Sequence, residues 1–332
     1  MTRSAVPLSK VPLPRNVADD TSRPVAYASD TPISVVTVTA TIGLRSLLAG
    51  GFEFGVLEAG PPSGPLALCL HGFPDTAFTW RHLLGPLADA GYHAGAAFLR
   101  GYHPTAIPPD GHYQTGALVA DAVALHESLG GDERAVLIGH DWGAVAAYGA
   151  AAFAPDRWAR VVGSAVPPLA ALARGFLSFD QLKRSWYIFF FQGPLAESAV
   201  AMDDYAFIER LWADWSPGYD AGFDVEGVRK ALATAENLTA AIGYYRAMFD
   251  LDLHSPDLAA EQAATAAPVH QPALYVHGSD DGCMGADLIS PDEVLGCFGP
   301  GAKVAIIESA GHFSHLERPA EVNDHILAFL AG

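Results

Sequence analysis

The chain has 332 residues, with 19 Lys and Arg against 37 Asp and Glu, which gives a formal net charge of −18 at pH 7. An acidic surface repels phosphate backbones and anionic lipid headgroups, so nucleic acid and membrane surfaces are excluded as partners. Half of the residues are hydrophobic and 17% are charged, which excludes a disordered chain and indicates a large core. This length suits one large domain or a domain that carries an insertion.

Cysteine usage and the N-terminal segment predict a cytoplasmic protein. Three cysteines cannot form a closed set of disulfides, and no Cys/His spacing typical of zinc sites occurs. Residues 1–36 are punctuated by prolines and lack the apolar run of a secretory signal, so we interpret them as an N-terminal arm without an assigned function. The apolar stretch 135–154 contains His140 and Asp141 near its middle, which favours a buried strand, turn and helix over membrane insertion.

From Thr37 onward, short apolar runs alternate with helical patterns, as is typical of a mostly parallel sheet with crossover helices. An amphipathic helix is predicted at 78–89 and a terminal helix from Pro319. Residues 167–268 contain aromatic, helix-like segments without strands, so we predict an α/β core of 37–166 and 269–332 that carries a helical cap of 167–268. The predicted strands are a pair within 44–58 and single strands at 65–70, 93–98, 134–139, 159–165, 273–277 and 303–307.

The segment Gly139-His140-Asp141-Trp142-Gly143 stands between a predicted strand and a predicted helix. A sharp strand-to-helix turn exposes the side chain at its apex only if the flanking residues are small, so this pattern indicates a nucleophile elbow with Asp141 at its apex. A carboxylate displaces leaving groups at sp³ carbons, as in epoxides or alkyl halides, and would form an ester of the enzyme. The position at a helix N-terminus favours the ionised form. The simpler alternative is a helix N-cap.

Two later loops provide a histidine and its acid. His312 follows the last predicted strand, and Gly278-Ser279-Asp280-Asp281 follows the strand before it. The order Asp141, Asp281, His312 is the nucleophile, acid, histidine order of hydrolase triads, in which His312 would activate water and Asp281 would orient its ring. Asp280 is the rival acid, and the G-x-x-D spacing favours Asp281.

An oxyanion hole is expected beside the elbow. His71-Gly72-Phe73-Pro74 ends an early strand, where a loop can turn the Phe73 N–H toward Asp141. The N–H of Trp142, which follows the nucleophile, is the second candidate donor. The pair would stabilise the oxyanion on the carboxyl of Asp141 when water attacks the ester.

With these motifs in place, the sequence resembles the α/β-hydrolase-fold epoxide hydrolases from about Thr37 to the end. The matching segments are His71 to Pro74, Arg100-Gly101-Tyr102, Gly139 to Gly143, the 167–268 insertion, Gly278 to Asp281, and Gly311-His312. His103 replaces the second glycine of the family's RGYG-like segment. The resemblance implies an α/β-hydrolase fold with an eight-stranded, mostly parallel sheet and an inserted helical cap.

The resemblance also implies two cap tyrosines that hydrogen-bond the epoxide oxygen, with Tyr187 and Tyr245 at the matching positions. Epoxide opening develops a basic alkoxide, which needs positioned O–H donors in a dry pocket. The predicted function is therefore hydrolysis of a hydrophobic epoxide by water to a vicinal diol through an aspartyl ester. We expect neither cofactor nor metal, and a homodimer is left open.

Two other functions share these motifs. A dehalogenase would use the same Asp141, but typically has Asn where Phe73 stands, and fluoroacetate dehalogenases have Arg where Trp142 stands. Some proteins of this fold are non-catalytic ligand receptors with an intact triad, and failure to turn over a broad epoxide panel would favour that function.

Overall fold

The computed structural model describes residues 41–173 and 175–332; the predicted arm, residues 1–36, lies outside the described residues. Eight strands form one sheet in the order β1-β2-β4-β3-β5-β6-β7-β8. Strand β2 is antiparallel to both of its neighbours and the remaining pairs are parallel, so the predicted eight-stranded, mostly parallel α/β sheet is confirmed. The strands are β1 Gly43–Ala49, β2 Phe52–Ala59, β3 Leu66–Leu70, β4 His93–Ala97, β5 Ala135–His140, β6 Trp158–Ser164, β7 Ala273–Gly278 and β8 Lys303–Ile307.

The first two strands form a hairpin closed by Gly50 and Gly51. Both glycines have positive φ, of 56° and 92°, which is the backbone that a two-residue hairpin turn requires and that residues with a Cβ rarely adopt. Strands β3 and β5 are buried along their whole length, as expected for neighbouring strands in the middle of a sheet covered on both faces. Their carboxyl ends therefore form the edge at which the motif loops meet.

Three helices of the first half of the chain cover the sheet: α1 Arg81–Asp89, α2 Thr115–Ser128 and α3 Trp142–Phe153. The predicted helix at 78–89 is divided, because a 3₁₀ turn at Ala77–Trp80, capped by Thr76, precedes α1. Helix α3 is rich in alanine and glycine, so it approaches α2 closely: a Cβ on Gly149 would lie 2.5 Å from the Val119 side chain. The small residues therefore set the distance between these two helices.

Residues 167–268 form helices and turns, and the described residues of this segment include no strand. Its last helix, α11, packs on α2 and α3. Within the described ranges, no helix combines the length and apolar character that crossing a bilayer requires. The helices of this segment are α4 Leu169–Leu172, α5 Phe179–Arg184, α6 Trp186–Phe190, α7 Ala196–Ala201, α8 Ala206–Trp215, α9 Gly222–Ala231, α10 Ala235–Phe249 and α11 Ala259–Ala264. Three more follow β7: α12 Pro291–Leu295, α13 Ser314–Glu317 and α14 Pro319–Ala331.

Trp212 of α8 fixes this helical segment to the carboxyl edge of the sheet. Its indole N–H donates to the carbonyl of Pro74 at 2.9 Å, and its ring stacks on Phe313 with a centroid separation of 3.5 Å and an interplanar angle of 4°. The side chain is fully buried. One tryptophan thus joins α8 to the loop after β3 and to the loop that contains His312.

Candidate active site

Asp141 lies at the apex of the turn between β5 and α3. Its backbone has φ 53° and ψ −119°, a region that residues with a Cβ rarely occupy. Its side chain makes no capping hydrogen bond to α3 although it precedes the first residue of that helix. The helix N-cap alternative therefore does not describe this carboxylate, which is buried and lines a cavity. Unusual backbone held in place by its surroundings is common at reactive positions.

The glycines on either side of Asp141 are required by contacts between backbones. A Cβ on Gly139 would lie 2.1 Å from the carbonyl oxygen of Gly143, and a Cβ on Gly143 would lie 2.1 Å from that of Leu70. A Cβ on Gly72 would lie 2.2 Å from Oδ1 of Asp141. These separations are far below van der Waals contact, so the tight turn and the approach of the loop after β3 both depend on glycine.

Gly139→Ala is expected to lower the free energy of unfolding by at least about 2 kcal/mol. The added methyl group would overlap a backbone carbonyl, which cannot move aside as a flexible side chain could. Gly222→Ala, at the first residue of α9, is the matched control, since its nearest atom is 3.4 Å away. The control should change little or stabilise by up to about 1 kcal/mol. Urea denaturation followed by circular dichroism checks both, and equal midpoints for the two variants would contradict the prediction.

Two backbone N–H groups stabilise the Asp141 carboxylate. The Phe73 N–H donates to Oδ1 at 2.8 Å, and the Trp142 N–H also stabilises the charged form. Burial nevertheless raises the pKa of Asp141 above its usual value, against the opposing effects of His312 and of these two N–H groups. The N-terminus of α3 favours the ionised form, as the sequence indicates, but desolvation of the buried carboxylate outweighs this effect.

His312 lies between two carboxylates. Its Nδ1 is 2.9 Å from Oδ2 of Asp281, and its Nε2 is 3.8 Å from Oδ2 of Asp141. Burial acts to lower the pKa of His312, but the charge and hydrogen bond of Asp281, together with the charge of Asp141, raise it above the usual value. Asp280, the rival acid, is exposed and accepts a hydrogen bond from Ser279 instead.

The backbone fixes the acid and the base independently of each other. Oδ1 of Asp281 accepts N–H groups from Cys283 at 2.7 Å and Met284 at 2.8 Å, which leaves Oδ2 for the imidazole. The carbonyl of Trp215, at the end of α8, accepts the backbone N–H of His312 at 2.9 Å. With Nδ1 directed at Asp281, Nε2 of the neutral ring carries a lone pair toward Asp141, which is the arrangement of a general base.

Tyr187 of α6 and Tyr245 of α10 face the same cavity as Asp141. The cavity has a volume of about 200 Å³. The two rings are 5.6 Å apart, and the Tyr245 ring lies 5.2 Å from that of Trp142. The Tyr187 hydroxyl lies 3.4 Å from Sγ of Cys283, and a hydrogen bond from the Trp142 side chain acts on the Tyr245 hydroxyl. Burial is the main cause that raises both phenol pKa values well above the usual value, with the Asp141 charge adding to it, so both phenols stay protonated.

Sequence reasoning did not identify the groups that hold the two tyrosines in place. Gln192 donates from Nε2 to the carbonyl of Ile188 at 2.9 Å and to that of Tyr245 at 2.8 Å, which joins α6 to α10. Arg246 pairs with Glu197 of α7 at 2.6 Å. Gln192 and Arg246 are sequence neighbours of the tyrosines, but the contacts Gln192–Tyr245 and Arg246–Glu197 join residues 53 and 49 positions apart, so only the folded structure shows them.

The chain is similar to known proteins along most of its length. The family model described as "Alpha/beta hydrolase family" matches residues 67–325. Epoxide hydrolase A of Mycobacterium tuberculosis is 32% identical over 87% of this chain and 97% of its own length. A protein of Bacillus subtilis, described as AB hydrolase superfamily protein YfhM, is 30% identical over 84% of this chain and 95% of its own length.

Solved structures of epoxide hydrolases are also similar to this chain. An epoxide hydrolase from an endophytic Streptomyces superposes with a TM-score of 0.69 at 30% identity, covering 88% of this chain and 96% of its own. Epoxide hydrolase A of Mycobacterium thermoresistibile superposes with a TM-score of 0.71 at 27% identity, covering 88% of this chain and 99% of its own. The chain therefore belongs to the alpha/beta hydrolase family and is similar to the epoxide hydrolases within it.

Proposed function

We propose that the protein is an epoxide hydrolase that converts a hydrophobic epoxide and water into a vicinal diol. The observation that carries the proposal is the environment of one carboxylate. Oδ1 of Asp141 accepts the Phe73 N–H, the Trp142 N–H also stabilises the carboxylate, Oδ2 lies toward His312, and two protonated phenols face the same cavity. Similarity to epoxide hydrolases across most of the chain supports the same reaction.

In the first step, Oδ2 of Asp141 attacks an epoxide carbon while the bond from that carbon to the ring oxygen breaks. The oxygen develops negative charge, and O–H groups of Tyr187 and Tyr245 hydrogen-bond it. One of the two phenols gives the alkoxide its proton. Both phenol pKa values are raised, so the phenols begin as donors, and the buried cavity strengthens each hydrogen bond. The product is an ester between Asp141 and the substrate.

In the second step, Nε2 of His312 takes a proton from water, and the resulting hydroxide attacks Cγ of Asp141. Charge develops on Oδ1, which already accepts the Phe73 N–H, and the Trp142 N–H is the second donor of the proposed oxyanion hole. Asp281 stabilises the imidazolium that forms. Collapse of the tetrahedral intermediate expels the diol with the former Oδ2, which takes the proton of the added hydroxyl group, and the water oxygen stays on Asp141. Transfer of the imidazolium proton back to the phenolate restores the resting enzyme.

The cavity favours an apolar substrate. Its polar side chains away from Asp141 are engaged elsewhere: Gln262 donates to Oγ1 of Thr115 at 2.7 Å and accepts the Gly116 N–H at 2.8 Å. The remaining lining is dominated by apolar side chains, which include Val145, Leu169, Leu172, Phe176, Ile188 and Met248. We propose that residues 167–268, which supply both tyrosines and much of this lining, form the cap domain, and that the protein acts in the cytoplasm.

A single turnover in ¹⁸O-water tests the mechanism. With enzyme in excess over a hydrophobic epoxide such as styrene oxide, the first diol should carry unlabelled oxygen, and a peptide containing Asp141 should gain 2 Da, because water attacks the carboxyl carbon. The Asp141→Ala variant is the control and should show neither diol nor label. Label that appears only in the first diol would show direct attack of water on the epoxide and would refute the covalent route.

A further inference from the structure

Three buried polar side chains meet next to the proposed triad without belonging to it. Asp75, His140 and His315 are each at least 96% buried, and one ligand atom of each lies within 4.8 Å of those of the other two. Oδ2 of Asp75 and the Nδ1 atoms of both histidines have no hydrogen-bond partner among the described residues. Buried polar atoms without partners are rare in folded proteins, so this cluster requires an explanation.

The other polar atom of each side chain is held by the protein. Nε2 of His140 donates to the carbonyl of His312 at 3.0 Å, which makes Nε2 the protonated nitrogen and leaves Nδ1 with a lone pair. Nε2 of His315 pairs with Oγ1 of Thr79 at 2.5 Å, and Oδ1 of Asp75 accepts the Thr76 N–H at 2.7 Å. Histidines that bind metal ions show this pattern, with the outer nitrogen held by an oxygen and the inner nitrogen free.

Charge also favours a cation between these side chains. A carboxylate buried as deeply as that of Asp75 is costly unless it is paired. The guanidinium of Arg81 is engaged with Asp224, with 2.6 Å between Nη1 and Oδ1, and does not hydrogen-bond Asp75. Two imidazoles and one carboxylate form a ligand set that suits Zn²⁺ and related divalent transition metals.

We propose that Asp75, His140 and His315 bind a divalent transition-metal ion, with Zn²⁺ as the expected occupant. Asp75 lies in the loop after β3 close to Phe73, His140 is the last residue of β5 next to Asp141, and His315 lies in α13 shortly after His312. The ion would therefore link the segments that contain the proposed oxyanion donor, nucleophile and base. Its role is structural, because the reaction proposed above uses no metal.

Sequence spacing could not reveal this site, which is why no metal was expected. The three ligands are distant in the chain and belong to no recognised spacing, and His140 is part of the segment interpreted as the nucleophile elbow. The site is independent of the epoxide reaction, so its test uses metal content, spectra and thermal stability.

The full chain is stripped with a chelator and titrated with Zn²⁺ or Co²⁺. We expect one ion per chain, a visible absorption band for bound Co²⁺, and a higher melting temperature with Zn²⁺. Thr79→Val, which removes the outer partner of His315 and a hydrogen bond to Asp75, should weaken the affinity about 10- to 100-fold, and His315→Gln should weaken it further. His126→Gln is the matched control, because His126 is also buried and also pairs with a carbonyl, that of Asp132.

The control variant should bind the ion as the unmodified protein does. If neither ion binds the unmodified protein, or if His315→Gln and His126→Gln bind it equally, the site is overturned, and a proton on Asp75 would be the remaining way to satisfy the cluster. Thr79→Val keeps all three ligands, so the proposal stays testable even if His315→Gln does not fold.

Discussion

Replacing His312 with glutamine is expected to stop the enzyme after the first step and to trap the ester on Asp141. The alkylation step needs Asp141 and the two phenols, whereas hydrolysis of the ester needs the lone pair of Nε2, which glutamine cannot supply as a base. Loss of a general base costs about 10²–10⁴ in rate, so steady-state diol formation should fall by at least about 10²-fold. Intact-mass measurement should show one equivalent of epoxide added to each chain, located at Asp141 by peptide mapping.

Two variants give this experiment its controls. His254 also lines the cavity, but its Nε2 is engaged with the carbonyl of Ala247 at 2.7 Å, so His254→Gln should turn over without accumulating an adduct. The double variant Asp141→Ala/His312→Gln should form no adduct. If His312→Gln keeps near-normal turnover, or loses activity without any adduct under excess epoxide, His312 is not the base of the second step.

The sheet was predictable because its strands are short apolar runs separated by turn residues. The strands Leu66–Leu70 and Ala135–His140 are buried at every position. Strands buried on both faces consist mainly of apolar residues, and this makes them easy to recognise in the sequence. The helix predicted at 78–89 was less accurate. Local sequence does not distinguish a 3₁₀ turn from the first turn of an α-helix, and the division at Trp80 and Arg81 depends on tertiary packing.

The site was partly predictable for a similar reason. The turn at Asp141 can be recognised from nearby residues, because only glycine avoids the backbone contacts at positions 139 and 143. Asp281 and His312 could be placed because each follows a strand of a parallel sheet, and the carboxyl ends of such strands share one edge. The structure brings these three residues together with Phe73, Trp142, Tyr187 and Tyr245 around one cavity or against its lining.

What could not be predicted are contacts between side chains distant in sequence. Nothing near Trp212 indicates that its indole reaches Pro74, and nothing near Gln192 indicates that it joins two tyrosine-bearing helices. The raised pKa of Asp141 could not be predicted for the same reason: the helix end is visible in the sequence, but the depth of burial is a property of the complete fold.

Removing both phenolic hydroxyls is expected to abolish epoxide opening while leaving the fold intact. Loss of one positioned donor to a developing oxyanion costs about 10²–10³ in rate, so Tyr187→Phe and Tyr245→Phe should each lose about that much, and the double variant should lose at least about 10⁴. Phenylalanine keeps the ring contacts with Phe73, Phe191 and Trp142, so thermal unfolding should change little. Stopped-flow measurement of alkylation checks the chemical step directly.

The matched control is Tyr113→Phe, because Tyr113 packs against α10 at Gly243 but does not line the cavity, and this variant should keep full activity. Halide displacement by Asp141 would need no phenol, since an N–H group such as the Trp142 indole, which lines the cavity, suffices to hold a halide. Halide release from haloalkanes should therefore be measured in parallel. A double variant that opens epoxides within tenfold of the normal rate would remove the tyrosines from the mechanism. If the unmodified protein releases halide from haloalkanes but does not turn over epoxides, the reaction of Asp141 is dehalogenation.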